Sequence, residues 1–299
     1  LERDFMMQNK AGKRDKFIKK SRIGMAEALK SRDMLLGYVA KSIHGMDEAI
    51  HLLTEKLEDI YSIYFPEFRL EDKRKYAEFV LAFDRKKPDA KALEIMVGQG
   101  KSADLLGKAK TTLGADLNDE DMKMLMSFAN RVVEAHKLRD EYMEYQEKFA
   151  EEVCPNMKHL SNAAIAAKLI AHTGSLKKLA LLPASTIQVL GAEKALFKHL
   201  RSKGRIPPPK HGIIFQFPAI GTAPKSQRGK IARALAAKLA IAARADAFSH
   251  NFIAPILKAD LDKRFAEIRA EAEKEVAERK APANKPDGPP PKSQENRKR

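Results

Sequence analysis

The chain has 299 residues, with 56 Lys and Arg against 40 Asp and Glu and a formal net charge of +16, enough length for about two folding units and enough excess charge to point to nucleic acid or an anionic membrane surface as a partner. No run of about 18 apolar residues occurs and no charged-then-apolar leader is apparent, so neither a membrane span nor export is expected. The single Cys154 excludes an internal disulfide and fits a reducing compartment, and 7% aromatic residues with no Trp argue against base-stacking platforms.

Residues 1–33 are polar and basic, a loosely helical or mobile lead-in or the remnant of an N-terminal domain. Leu36, Val39, Ile43, Met46, Ile50, Leu53, Leu57, Ile60 and Tyr64 then recur in steps of three and four. This is a heptad seam over four repeats, a helix roughly 43 Å long that lies against a partner helix. Pro66, in YSIYFPEF, ends it. Residues 84–118 carry glycines and a proline and read as an excursion of short helices and loops. A second long helix starts near Asn118–Asp119, where an N-cap precedes three acidic residues. Met122, Leu125, Ala129, Val132, His136 and Met143 continue its seam, with His136 as a tolerated polar position. Residues 34–153 are thus expected to form an antiparallel coiled-coil hairpin, long enough to leave apolar surface for a homodimer.

From Asn156 alanine becomes dense and helices shorten, which predicts a compact helical domain over 154–258. A charged terminal helix over 259–280 and a Pro-rich, basic, disordered tail over 281–299 follow. The expected fold class is all-α. Between Ile187 and Arg244 the only acid is Glu193, against Lys194, Lys198, Arg201, Lys203, Arg205, Lys210, Lys225, Arg228, Lys230, Arg233, Lys238 and Arg244. An unpaired cationic cluster of this kind suits a phosphate backbone.

On a helical wheel started at Arg228, the cations Lys230, Arg233 and Arg244 share one side, and Ile231, Leu235, Leu239 and Ala242 the other. Gly191 and Ala192 are expected to let a helix N-terminus approach an anion. The stretch PPPKHGIIFQFPAI, stiffened by Pro207, Pro208 and Pro209, mixes Lys210 and His211 with Ile214, Phe215 and Phe217. Such an edge suits joint contact with RNA and protein, with Phe197, Ile214 and Phe217 as protein contacts and Gln216 as a hydrogen-bonding partner for a base edge. P-loop, dinucleotide, zinc-protease and Cys-pair motifs are absent. Neither catalysis nor a metal or cofactor site is expected.

GAEKALFKHL, PKHG and RGKIARALAAKLAIAAR, with YSIYFPEF upstream, closely resemble the Nop domain and coiled coil of box C/D ribonucleoprotein scaffolds, the archaeal Nop protein and its nucleolar relatives Nop56 and Nop58. The resemblance covers roughly 30–255. It implies a dimer that binds box C/D guide RNA at a kink-turn already occupied by a kink-turn-binding ribosomal-type protein. It also implies fibrillarin as the partner that carries S-adenosylmethionine and methylates ribose 2′-hydroxyls. The resemblance implies a globular fibrillarin-docking domain ahead of the coiled coil; about 33 polar residues precede it in this sequence, and fibrillarin docking by those residues is not expected. The resemblance places RNA contacts at Gly191, Ala192, Lys194, Lys198, His199, Arg201, Lys210, His211, Gln216, Arg228, Lys230 and Arg233, and the charge stripe adds Arg244. It implies an archaeal cytoplasmic location, or a nucleolar one in a eukaryote. Two other readings are a spliceosomal Nop-domain protein that binds a small nuclear RNA, and a coiled coil that bridges acidic proteins without RNA.

Overall fold

In a computed structural model, which describes residues 2–86 and 88–280, every regular element is helical. Helix α1 (Glu2–Lys30) precedes α2 (Arg32–Tyr64), and Asp33 marks the junction. Its carboxylate accepts from the Met34 N–H at 2.8 Å and from the distant Leu176 N–H at 2.6 Å. The lead-in is therefore helical up to Lys30, and α2 starts at Arg32, two residues before the expected boundary. Helix α2 stops at Tyr64, as Pro66 requires.

The seam on α2 holds at Leu36, Val39, Ile43, Ile50, Leu57 and Tyr64, which are buried, with Met46 and Leu53 half-buried. It fails at Ile60, which is 43% exposed, while its neighbour Tyr61 is buried. A straight helix drifts about 20° per heptad against a strict seven-residue repeat. Over four heptads that drift moves the buried position on by one residue.

Three short helices follow: α3 (Lys73–Ala82), α4 (Ala90–Val97) and α5 (Gln99–Lys110). They do more than connect. With the end of α2 they enclose a second core, in which Phe68 stacks on Phe79 with ring centroids 3.7 Å apart and Phe79 on Phe83 at 4.8 Å. Arg85 braces this end by donating to the carbonyls of Tyr64 and Gly114, and its guanidinium lies 4.3 Å over the Tyr64 ring. Local patterning shows an excursion here, whereas the core exists only because residues 61–83 and 93–133 meet.

Helix α6 (Asp119–Val153) begins where Asn118 accepts from the Asp121 N–H at 2.7 Å. It packs antiparallel on α2: Arg32 pairs with Glu152 at 2.7 Å, Asp47 with Arg139 at 2.8 Å, and the Ile63 carbonyl accepts from the Ala115 N–H at 2.8 Å. Leu125, Ala129 and Val132 are buried as their spacing predicts, but Met143 is exposed and Gln146, Phe149 and Ala150 take the seam beyond it. His136 is half-buried, and burial together with Arg74 holds its imidazole below the ordinary range.

Residues from Cys154 onward fold into a helical head. It comprises α7 (Pro155–Leu160), α8 (Ala163–Thr173), α9 (Leu176–Ala180), α10 (Ala184–Val189), α11 (Glu193–Arg201), α12 (Pro218–Gly221), α13 (Lys225–Arg244) and α14 (Ala254–Lys280). Small residues explain its density: Ala163, Ala166, Ala167, Ala232, Ala236 and Ala243 are buried and let helix backbones approach closely. The same core takes in Leu36, Ala40, Phe149 and Ala150 from the two long helices, and Leu257, Leu261, Phe265 and Ile268 from α14. Packing therefore runs through the boundaries expected at 153 and 258. Burial pushes the Cys154 thiol well above its usual range. The tail expected over 281–299 lies outside the described residues.

Candidate nucleic-acid interface

Helix α11 buries none of its residues. It presents Lys194, Lys198 and Arg201 beside Phe197, 57% exposed, and Leu200, 60% exposed. These three cations have no ion-pair partner among the described residues. Leu196 is half-buried. After α11 the chain turns through Lys203 and Gly204, both with positive φ, into the three prolines. The turn is braced by His199, whose Nδ1 donates to the Ile206 carbonyl, and by the Ser202 hydroxyl, which accepts from the Ile206 N–H at 3.0 Å. His199 thus supports the loop, where sequence resemblance had placed an RNA contact.

Beyond the prolines the loop is pinned to α10. Gln188 donates to the Lys210 carbonyl at 2.7 Å, and the Gly212 N–H to the Gln188 carbonyl at 2.9 Å. The Ile213 N–H bonds the Leu190 carbonyl at 2.7 Å. A β-carbon on Gly212 would fall on the Leu190 carbonyl oxygen, so only glycine fits. A 3-10 turn over Ile213–Gln216 then sorts the apolar residues. Ile214 and Phe217 are buried, Phe217 beneath Phe265 of α14, and they are core residues where protein contacts were expected. Phe215 is the aromatic residue of this turn that reaches the surface. It stacks on His211 with centroids 4.4 Å apart, and the Arg228 guanidinium lies 5.5 Å from its ring. Burial, with Arg228 nearby, holds the His211 imidazole below its ordinary range.

The start of α13 joins this edge. The Lys210 side chain lies against Gly229. Arg228 turns back to donate to the carbonyls of Ala223 at 2.8 Å and Gly221 at 3.1 Å, so it fastens the loop to the helix. Ile231, Leu235, Leu239 and Ala242 are buried, and Lys230, Arg233 and Arg244 are exposed, as the wheel predicts. Angle alone misplaces Arg244, however. Sixteen residues beyond Arg228 it stands about 24 Å further along the helix, where its Nε donates to the Ala180 carbonyl. The unpaired character of the stripe also fails in part. Lys230 meets Glu271 at 3.2 Å and Lys238 meets Asp260 at 2.9 Å, both acids lying on α14, outside the window in which Glu193 stood alone.

The N-terminus of α11 is already engaged. The Glu193 carboxylate accepts from the Gly191 N–H at 2.7 Å and lies 2.8 Å from His172 Nε2 of α8. Although partial burial opposes it, these hydrogen bonds hold the Glu193 carboxyl below the usual range. Ala192, which caps the helix, has no side-chain hydrogen bond to offer. Gln216 Oε1 accepts from Lys168 Nζ at 2.8 Å. Lys168 and His172, which lie outside the basic run, line a groove of about 540 Å³ with Lys41 and His44 of α2. No local signal reveals them, because α8 precedes the basic run and reaches it only through packing. Among the described residues, no group of three or more His, Cys, Asp or Glu is placed to hold a metal.

The family described as "Nop: snoRNA binding domain, fibrillarin" matches residues 42–267, which include most of α2, all of α6 and the whole basic edge. The chain belongs to the Nop family. A NOP5 family protein of Methanocaldococcus jannaschii is 43% identical over 80% of this chain and 58% of its own length. Nucleolar protein 56 of Caenorhabditis elegans is 37% identical over 69% of this chain and 44% of its own length. The chain thus spans about half the length of these curated relatives. A chain of the crystal structure of a fibrillarin/Nop5p complex matches 85% of this one and 78% of itself, with a TM-score of 0.51 and 28% identity.

Within this Nop-family chain the predicted residues separate into three groups. Lys194, Lys198, Arg201, Lys210 and His211 form or flank the open edge around α11 and the proline loop. Gly191, His199, Gln216 and Arg228 hold that edge together. Lys230 and Arg233 lie on α13 beside α14, and Arg244 lies at the far end.

Proposed function

We propose that this Nop-family chain is an RNA-binding scaffold of a box C/D ribonucleoprotein. Its head binds guide RNA at a kink-turn together with the protein already bound there, and its helical rod forms a homodimer. The observation that carries this reading is the edge of α11. Three cations without acidic partners among the described residues alternate there with two exposed apolar side chains on a helix that buries nothing of its own. Cations alone suit phosphate, and apolar side chains alone suit protein. Their interleaving suits a surface made of both. The hydrogen-bonded loop supports the same reading, since an edge ordered before binding loses less entropy on association.

The rod supports self-association through an apolar groove of about 630 Å³ at its far end, lined by Ile60, Ile63, Leu117, Met124, Leu125 and Phe128. Fibrillarin, present in the complex that contains the related Nop5p chain, is the proposed source of methyl-transfer chemistry. The scaffold positions the RNA.

A titration with kink-turn RNA, with and without a kink-turn-binding protein, tests the proposal. Tighter binding to the protein-bound RNA is the expected result. Equal affinity for both, or no binding at moderate salt, would overturn it. Sequencing the co-purified RNA separates box C/D guides from a spliceosomal RNA.

A further inference from the structure

Helix α14 begins at Ala254 and runs antiparallel along α13, held by the buried Leu257, Leu261, Phe265 and Ile268. That packing sets two carboxylates opposite two cations. Asp260 meets Lys238 at 2.9 Å, and Glu271 meets Lys230 at 3.2 Å. Glu271 also faces Arg264 at 3.5 Å across the same face. Lys238 beside it holds the Asp260 carboxyl below the usual carboxylate range. Between the two pairs Arg233 has no ion-pair partner among the described residues, and a groove of about 390 Å³ runs along the helices here.

The head therefore carries two kinds of cation. Those of α11 are open to any phosphate. Two of those on α13 are already engaged by acids that the fold itself delivers. Half-exposed pairs of this kind are weak, so a polyanion can displace them, but each displacement subtracts from what the cation contributes. We propose that Asp260 and Glu271 are specificity-determining residues that withhold the α13 cations from generic RNA. A ligand that first docks on the α11 edge recruits Lys230 and Lys238 by displacing the two carboxylates, whereas an RNA held by charge alone does not. This inference rests on the RNA-scaffold reading.

The test compares the full chain with the variant Asp260→Asn, Glu271→Gln, using a continuous RNA duplex and the kink-turn RNA bound to its protein. For the duplex, the variant should bind several-fold more tightly at low salt, and the salt slope should steepen by about 0.9 for Lys238. Binding of the composite should change less than binding of the duplex, so the ratio between the two falls. Adding Lys230→Gln and Lys238→Gln should remove the gain. Duplex affinity and slope equal to the parent's would overturn the inference, as would a gain that survives loss of both lysines. Failure of the parent to prefer the composite is a separate outcome, and it would sink the scaffold reading itself. Both acids are about half exposed, and a matching circular dichroism melt confirms that the variant folds.

Discussion

Gly37 of α2 lies against Ala171 of α8 so closely that a β-carbon would sit 3.1 Å from the Ala171 Cα. Here the rod meets the head, next to the hydrogen bond from Leu176 to Asp33. Gly37→Ala should be close to neutral, because a helix gain of up to about 1 kcal/mol offsets the crowding. Gly37→Val has no such offset and should cost about 1–3 kcal/mol by overpacking. Urea denaturation of the two variants checks this, and equal midpoints would contradict it.

Asp246, in the π-helical turn Ala245–Ser249, accepts from the Asn156 N–H at 3.1 Å, the Asn156 side-chain amide at 2.7 Å and the Met157 N–H at 3.0 Å. An amide in its place can keep only one side of this set, so Asp246→Asn should cost about 1–3 kcal/mol. Burial, opposed by these bonds, raises the Asp246 carboxyl above its ordinary range. A raised folded-state value means that the folded chain binds this proton more tightly. Its contribution to stability is therefore complete below the unfolded carboxylate value and declines as pH rises through the higher folded value. The stability difference between parent and variant should change across that acid window and level off above it.

Gly212 has the Leu190 carbonyl where a side chain would begin. Gly212→Ala should break the bond between Ile213 and Leu190 and release the proline loop from α10. A loss of about 1–3 kcal/mol is expected from the displaced hydrogen bonds, with weaker RNA binding in gel shift. Parental stability would show that the loop is not pinned there.

Charge reversal separates the open edge from the far end of α13. Lys194→Glu with Lys198→Glu should lower RNA affinity at least tenfold and flatten its salt dependence by about 2. Arg244→Glu, about 24 Å along the helix from Arg228, should leave both near parental values. Equal losses would refute the assigned edge.

On the rod, Leu57 is fully buried while Ile63 is 56% exposed in the apolar groove. Leu57→Asp should lower the thermal midpoint sharply, since it places a carboxylate in a core. Ile63→Asp should keep the parental melt and shift sedimentation from that of the proposed dimer to that of a monomer. A dimer that persists with Ile63→Asp would move the interface elsewhere.

Helix positions and ends were legible in the residues because their causes are local. Pro66 terminates α2, Asn118 caps α6, and the apolar spacing of Ile231, Leu235 and Leu239 buries one face of α13. Ile60 was misplaced by the same kind of reasoning carried too far, as a small angular drift accumulates over four repeats. Ile214, Phe215 and Phe217 defeat it altogether: a short turn sends two of them inward and one outward, and composition does not distinguish them.

The order of amino acids determined an all-helical chain, two long seam helices and a concentration of positive charge after Ile187, since periodicity and charge are properties of neighbouring residues. Tertiary structure alone decided which charges stay open. It brought Glu271 and Asp260 of α14 to Lys230 and Lys238, aligned Lys168 and His172 with Gln216 and Glu193, and carried Arg244 away from the edge. Coulomb attraction depends on distance in space, and residues separated by 21 or 41 positions come within 3.2 Å only when the helices between them have packed.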